Sequence, residues 1–157
     1  MPTLIFTECV LAYIDKKAIE ALLDFLVQKF NCLALLDYDM VNPNDPFGKM
    51  MVYNFAQRGI PLVGINFFES LESIKGHYLK RHMTCEIANM RTIYYKYLDQ
   101  HEKQRIEKLE FLDELEEWWL VQEHYFISLS KKTRPANVTG VSGFDILDKL
   151  GLSEATG

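Results

Sequence analysis

An α/β fold whose sheet starts with parallel strands is predicted by three features of the chain's opening. The apolar segment Thr3-Leu4-Ile5-Phe6-Thr7-Glu8 reads as a strand ending in a carboxylate. Ile19, Leu22, Leu23, Leu26, Val27 and Phe30 then recur at i, i+3, i+4, i+7, i+8 and i+11, one face of a helix. The run Cys32-Leu33-Ala34-Leu35-Leu36-Asp37-Tyr38 follows as a second buried strand. Strand, helix and strand in direct succession imply a right-handed crossover and parallel pairing.

Glu8 is the first candidate site residue. An unpaired charge inside a sheet is costly, so a buried-strand pattern ending in Glu aims that side chain at a polar crevice. Open α/β sheets bind ligands at that end of their strands. A surface-loop Glu just past the strand is the alternative on local pattern.

Asp15 is placed to cap the first helix. Asn42-Pro43-Asn44-Asp45-Pro46 is turn chemistry, with Asp45 as a cap and Pro46 at the first helical position. That helix runs through Met50, Met51, Tyr53 and Phe55 to a stop at Gly59. Leu71, Ile74, Tyr78 and Leu79 predict another helix over 68–81. A strand is expected over 84–90 and a short aromatic helix over 92–98. Ile106, Leu109, Leu112, Leu115 and Trp119 keep helical spacing through a charged run, read as one helix over 102–123 with a solvated acidic face. His124 to Ser130 alternates as a strand. Residues 1–130 form the folded portion and 131–157 a flexible tail, with one or two helical turns over 144–152.

At 157 residues, 48% hydrophobic and 25% charged, the chain has the length and composition of one globular domain. A net charge of −5 argues against nucleic acid as a partner. No apolar run approaches the ~18 residues that span a bilayer, and no secretory leader opens the chain. Cys9, Cys32 and Cys85 are odd in number, widely spaced and in apolar contexts, which suits reduced thiols of a cytoplasmic protein.

Several familiar signatures are missing. No G-x-G-x-x-G, P-loop, H-E-x-x-H or C-x-x-C occurs. His77, His82, His101 and His124 lack metal-ligand spacing and suit surface or half-buried structural roles, so no metal is expected. Gly140-Val141-Ser142-Gly143 falls short of a nucleophile elbow. Asn137-Val138-Thr139 has sequon spacing, which a cytosolic chain would not use. Trp118-Trp119 reads as one buried and one half-exposed indole.

Several stretches, in order, resemble the leucine carboxyl methyltransferase family. They are Thr7-Glu8-Cys9-Val10-Leu11-Ala12-Tyr13, then Val41-Asn42-Pro43-Asn44-Asp45-Pro46-Phe47-Gly48 continuing to Arg58-Gly59. Ser70-Leu71-Glu72-Ser73, Arg105 to Glu114 and the closing Leu150-Gly151-Leu152-Ser153-Glu154 extend the match. Lys80-Arg81-His82 departs from it, standing where relatives place a Gly-Trp pair, and the connection over 131–147 is longer than usual.

The resemblance implies a class I S-adenosylmethionine-dependent methyltransferase, a Rossmann-like seven-stranded sheet of which this chain is the C-terminal half, starting at the fourth strand. It implies methylation of the C-terminal leucine carboxylate of the type-2A protein phosphatase catalytic subunit, with S-adenosyl-L-methionine as cofactor. Glu8 is then the cofactor-binding residue, at the amino-acid end of the donor, where a carboxylate can accept charge-assisted hydrogen bonds from an ammonium. Cys9, Leu11 and Tyr13 would line the same crevice, and no catalytic residue is assigned.

A peptide α-carboxyl titrates near about 3.5, so the nucleophile is ionised already and the enzyme's task is alignment in a dry site. No cationic clamp for that carboxylate stands out; Lys16 and Lys17 read as a solvated helix start, and the clamp is expected from the half not represented here. With the first strand lacking, an apolar edge is left open. These residues alone are therefore expected to bind the donor weakly or not at all and to self-associate. Two other readings fit the residues: a non-catalytic phosphatase-binding module without the cofactor pocket, and a relative of the tRNA wybutosine-synthesis methyltransferases. The acidic balance disfavours the RNA reading.

Overall fold

The computed structural model describes residues 2–109 and 113–132. Strand β1 (Thr3–Glu8) pairs in parallel with β2 (Leu33–Met40), Thr3 facing Leu33 and Glu8 facing Tyr38. Helix α1 (Lys16–Lys29) joins them, its first turn closed by Asp15, which accepts from the Lys17 N–H at 2.9 Å. The predicted βαβ opening is thus present, with Ile19, Leu23 and Leu26 buried.

Helix α2 (Pro46–Gln57) starts as its turn chemistry requires, with Asp45 accepting from Gly48 N–H at 2.7 Å, and chain reversal follows at Gly59, φ 77°. Helix α3 (Leu71–Leu79) is shorter than 68–81, because the Ser70 side chain caps it and accepts from Ser73 N–H. Phe67 instead ends a 3₁₀ turn over Ile65–Phe67 and Phe68 follows it, the two rings edge to face at 5.1 Å and fully buried.

Strand β3 (Thr84–Asn89) occupies one edge and β4 (Tyr125–Lys132) the interior, antiparallel to both neighbours, in the order β1-β2-β4-β3. Strand β4 runs two residues beyond the expected boundary at 130. The Lys132 ammonium explains the extension: it donates to the Val27 and Phe30 carbonyls at the end of α1, where a helix offers unpaired acceptors. The tail over 133–157, with the Ser142 and Asn137 motifs and the turns over 144–152, lies outside the described residues.

The segment between β3 and β4 departs most from expectation. The aromatic helix begins as one α turn, α4 (Met90–Thr92), and continues as a π-helix over Ile93–Tyr97. The single helix over 102–123 is two, α5 (Gln100–Glu107) and α6 (Leu115–Glu123). Arg105 in the last turn of α5 and Glu116 and Glu117 in the first turn of α6 each complement their helix dipole. The acidic face is solvated as expected. The two indoles are both half-buried, contrary to the split predicted: Trp119 stacks on Tyr95 at 4.6 Å and Trp118 meets Tyr94 edge-on at 5.2 Å.

One face of the sheet carries Ile5, Leu35, Phe126 and Cys85 into the core with α1 and α3. The other face is barer, and at its β1 edge Leu4 and Phe6 are each 58% exposed. Among the described residues, no helix is long and apolar enough to cross a membrane.

Lys80-Arg81-His82 repays its departure from the family pattern. Arg81 fastens α3 to α1, donating to Asp24 at 2.7 Å and to the Glu20 carbonyl at 3.2 Å. His82 adopts φ 57°, a left-handed conformation that glycine takes without steric cost. His82→Gly is expected to leave the fold unchanged and raise stability by about 0.5 kcal/mol; urea unfolding checks it.

Candidate functional site

Glu8 ends β1 and is exposed, next to the half-buried Cys9. The backbone leaves the sheet there: Cys9 is left-handed at φ 48° while its N–H still donates to the Tyr38 carbonyl at 2.8 Å. A 3₁₀ turn over Leu11–Tyr13 follows and buries Leu11 and Ala12.

That turn is held by a residue the sequence reading passed over. Asp39, fully buried near the end of β2, accepts from Ala12 N–H at 3.0 Å and from Met40 N–H at 2.8 Å. Burial pushes its carboxyl up, while N–H groups of Met40, Ala12, Leu11 and Val10 hold it down, and burial prevails. The signal was available, since the cost argument applied to Glu8 applies equally to Asp37 and Asp39 inside an apolar strand. Gly64 closes the other side of the turn. Its N–H donates to Ala12 at 2.9 Å, and a Cβ there would lie 2.0 Å from the Ile14 carbonyl oxygen, which only glycine avoids.

Paired residues of adjacent strands point to one face, so Glu8 and Tyr38 are same-face neighbours. Tyr125 of β4 is in register with Met40 and so lies diagonal to Tyr38 on the same face, its ring stacked on Tyr38 at 5.5 Å and 19° between planes. Tyr13 ends the 3₁₀ turn, with its ring edge-on to Phe55 at 6.4 Å. Leu11, expected to line the crevice, is buried in the core instead, because its side chain packs under the turn.

The electrostatics of this corner have one sign. Burial, then Asp39, Glu8 and Asp37, pushes the Cys9 thiol up to about 11. Burial followed by Cys9 raises Tyr38 and Tyr13, and lifts Tyr125 to about 12. Deprotonation is disfavoured throughout, so Cys9 is no nucleophile at neutral pH and the tyrosines are no bases. The exposed Glu8 carboxylate is the group here that could meet a cation. Lys16 does not serve it, since its ammonium donates to the Asn66 carbonyl at 3.2 Å.

Other candidates fall elsewhere. His124 is 2% exposed, its Nε2 2.9 Å from both Asp45 oxygens and its Nδ1 2.7 Å from the Leu120 carbonyl. Each ring nitrogen thus meets an acceptor, a structural clasp between α2 and α6. His77 is stacked on Phe67 at 4.0 Å. A hollow of about 220 Å³ along α2, lined by Phe47, Met50, Met51, Asn54, Phe55 and Arg58, does not include Glu8. Among the described residues no group of three or more His, Cys, Asp or Glu is arranged to hold a metal ion.

No protein-family model matches the chain. It is 34% identical over 129 residues to the leucine carboxyl methyltransferase 1 homolog of Arabidopsis thaliana, covering 82% of this chain and 39% of that one. To leucine carboxyl methyltransferase 1 of Rattus norvegicus it is 37% identical over 126 residues, covering 80% and 38%. It is also 35% identical over 127 residues to tRNA wybutosine-synthesizing protein 4 of Homo sapiens, covering 80% of this chain and 18% of that protein. Among solved structures, a Haemonchus contortus phosphoethanolamine N-methyltransferase 2 in complex with S-adenosyl-L-methionine is similar at a TM-score of 0.45 and 15% identity, covering 84% of this chain and 33% of that one. The chain spans less than half the length of the curated relatives it matches. Over that span it is a homologue of the leucine carboxyl methyltransferases.

Proposed function

We propose that this chain is the C-terminal part of a class I methyltransferase fold, starting at the fourth strand, and acts in S-adenosylmethionine-dependent methylation of a protein's C-terminal leucine carboxylate. By family the acceptor is the type-2A protein phosphatase catalytic subunit. One observation carries the reading: Glu8 stands at the carboxyl end of a parallel ladder with its side chain exposed. S-Adenosyl-L-methionine, when bound, supplies an electrophilic methyl group on a sulfonium.

The chain's own residues then have limited tasks. Glu8 accepts from the donor's ammonium. Asp39 and Gly64 fix the turn over Leu11–Tyr13 that follows Glu8. The acceptor carboxylate needs no base, because it is already ionised. It does need cations to hold it, and a negative corner repels it, so that clamp belongs to other residues than these.

A chimera tests the reading: this chain replaces the matching segment of the Rattus relative. It is expected to label a peptide ending in free leucine, from radiolabelled donor, and to leave the amidated peptide unlabelled. Glu8→Gln should lower kcat/KM by about tenfold, the worth of one charge-assisted hydrogen bond. A folded but inactive chimera contradicts the enzyme reading and favours a phosphatase-binding module. The wybutosine-type relative is equally similar in sequence, and label on tRNA would move the reading there; the net charge of −5 weighs against it.

A further inference from the structure

We propose that the stacked Tyr38–Tyr125 pair, with Glu8 beside it, is a subsite for an alkylated onium group, the methylsulfonium end of the donor. The inference rests on the reading above and adds two positioning residues to it.

The geometry has three parts. Tyr38 and Tyr125 lie on adjacent strands with nearly parallel rings, so their electron-rich faces and edges form one wall. Both are half-buried, which leaves ring surface for a ligand while excluding water from the stacked side. Glu8 is the in-register neighbour of Tyr38 on β1 and is exposed, so its carboxylate flanks the same wall. No described hydrogen bond or ion pair engages the Glu8 carboxylate. A π face next to an unpaired carboxylate is the pairing that attracts a soft, poorly hydrated cation.

The second aromatic cluster supplies a contrast. Around Tyr94, Tyr95 and Trp119 the cation places are taken by the chain itself, Arg91 lying 5.4 Å from the Trp119 centroid and Lys103 4.5 Å from that of Tyr94. Among the described residues, the cation–π contacts lie in that second cluster, at the rings of Tyr94, Tyr95, Tyr97 and Trp119. The Tyr38–Tyr125 wall lies instead at the end of the parallel ladder, beside Glu8.

The pair would act on position rather than on bonds. A sulfonium held against it has its charge stabilised by ring quadrupoles and Glu8, while the neutral thioether left after transfer loses both attractions. Donor is therefore held in preference to product.

The test uses trimethylsulfonium, which carries the reacting group without the nucleoside, and follows tyrosine ring and Cys9 amide signals of the whole chain by NMR. Saturable shifts are expected at Tyr38, Tyr125 and Cys9, with none from the neutral isostere tert-butyl alcohol. Tyr38→Leu should weaken the response about fivefold and Tyr38→Phe should keep it. Glu8→Gln, an exposed position with no folding risk, should also weaken it. Equal shifts from the alcohol, shifts confined to the Tyr95–Trp119 cluster, or an unchanged response in Glu8→Gln would overturn the proposal. Because the probe needs neither donor nor acceptor, an inactive chimera with an intact onium response separates failure of the enzyme reading from failure of this one.

Discussion

Replacing Asp37 with Asn is expected to remove most of the protein's loss of stability between pH 4 and pH 7. Asp37 is fully buried near the middle of β2. Its Oδ1 accepts from the Thr7 hydroxyl at 2.7 Å, and its Oδ2 has no hydrogen-bond partner among the described residues. Burial raises the carboxyl to about 7, opposed by the Thr7 bond and reinforced by Asp39. The folded state thus keeps a proton that the unfolded chain releases near pH 4. Where the folded state binds more protons, stability falls as pH rises. The loss begins near the unfolded value and is complete just above the folded one. It amounts to about 4 kcal/mol over roughly three pH units. Asn reproduces the neutral acid's shape and cannot ionise, so Asp37→Asn should be nearly neutral at pH 5 and stabilising by a few kcal/mol at pH 8. Urea denaturation of both proteins at the two pH values measures this; parallel pH profiles would refute it.

His124→Ala should be the most damaging single truncation outside the hydrophobic core. It removes the ring's contacts to the Leu120 carbonyl and to the Asp45 carboxylate, which keeps its bond from the Gly48 N–H, and opens a void against Phe47, whose ring lies 4.4 Å from the imidazole. The lost contacts and an unfilled cavity together cost about 3 kcal/mol, or about 9 °C in Tm for a domain of this size. His124→Gln, which can still donate one bond, should recover part of it. The same clasp gives the acid limb of stability. Burial works to raise Asp45, but the Gly48 N–H and the His124 ring outweigh it and hold the carboxyl below its usual range. A depressed carboxyl stabilises above its unfolded value, and that contribution disappears as pH falls through the folded one. Thermal melts at pH 7 and pH 3 should therefore differ less in His124→Ala than in the parent.

Local chemistry made much of the architecture readable. Asp15 and Asp45 announce their helices because each side chain meets an orphaned N–H in the first turn. The parallel opening follows from a crossover helix between two apolar strands. The antiparallel insertion of β4 between β2 and β3 was not readable, because alternation reports a strand's faces and not its direction or partners. The helix over 102–123 misled because apolar spacing continued across a break that only charge placement marks. At the site, Glu8 was visible as a charge at the end of an apolar strand. Asp39 was equally visible and was overlooked, since its work is to hold a turn 27 residues away in sequence. Tyr38 and Tyr125 could not be joined from sequence, because 5.5 Å between their rings depends on the register of two strands far apart in the chain.

The most direct measurement is an NMR titration of the chain with S-adenosyl-L-methionine carrying a labelled methyl group, with S-adenosylhomocysteine in parallel. With β1 an open sheet edge, binding is expected to be weak. The methyl protons should show contacts to the Tyr38 and Tyr125 rings, with shifts at Glu8 and Cys9 and weaker binding of the neutral thioether. Contacts confined to the α2 hollow, or tighter binding of S-adenosylhomocysteine than of the sulfonium, would contradict the account.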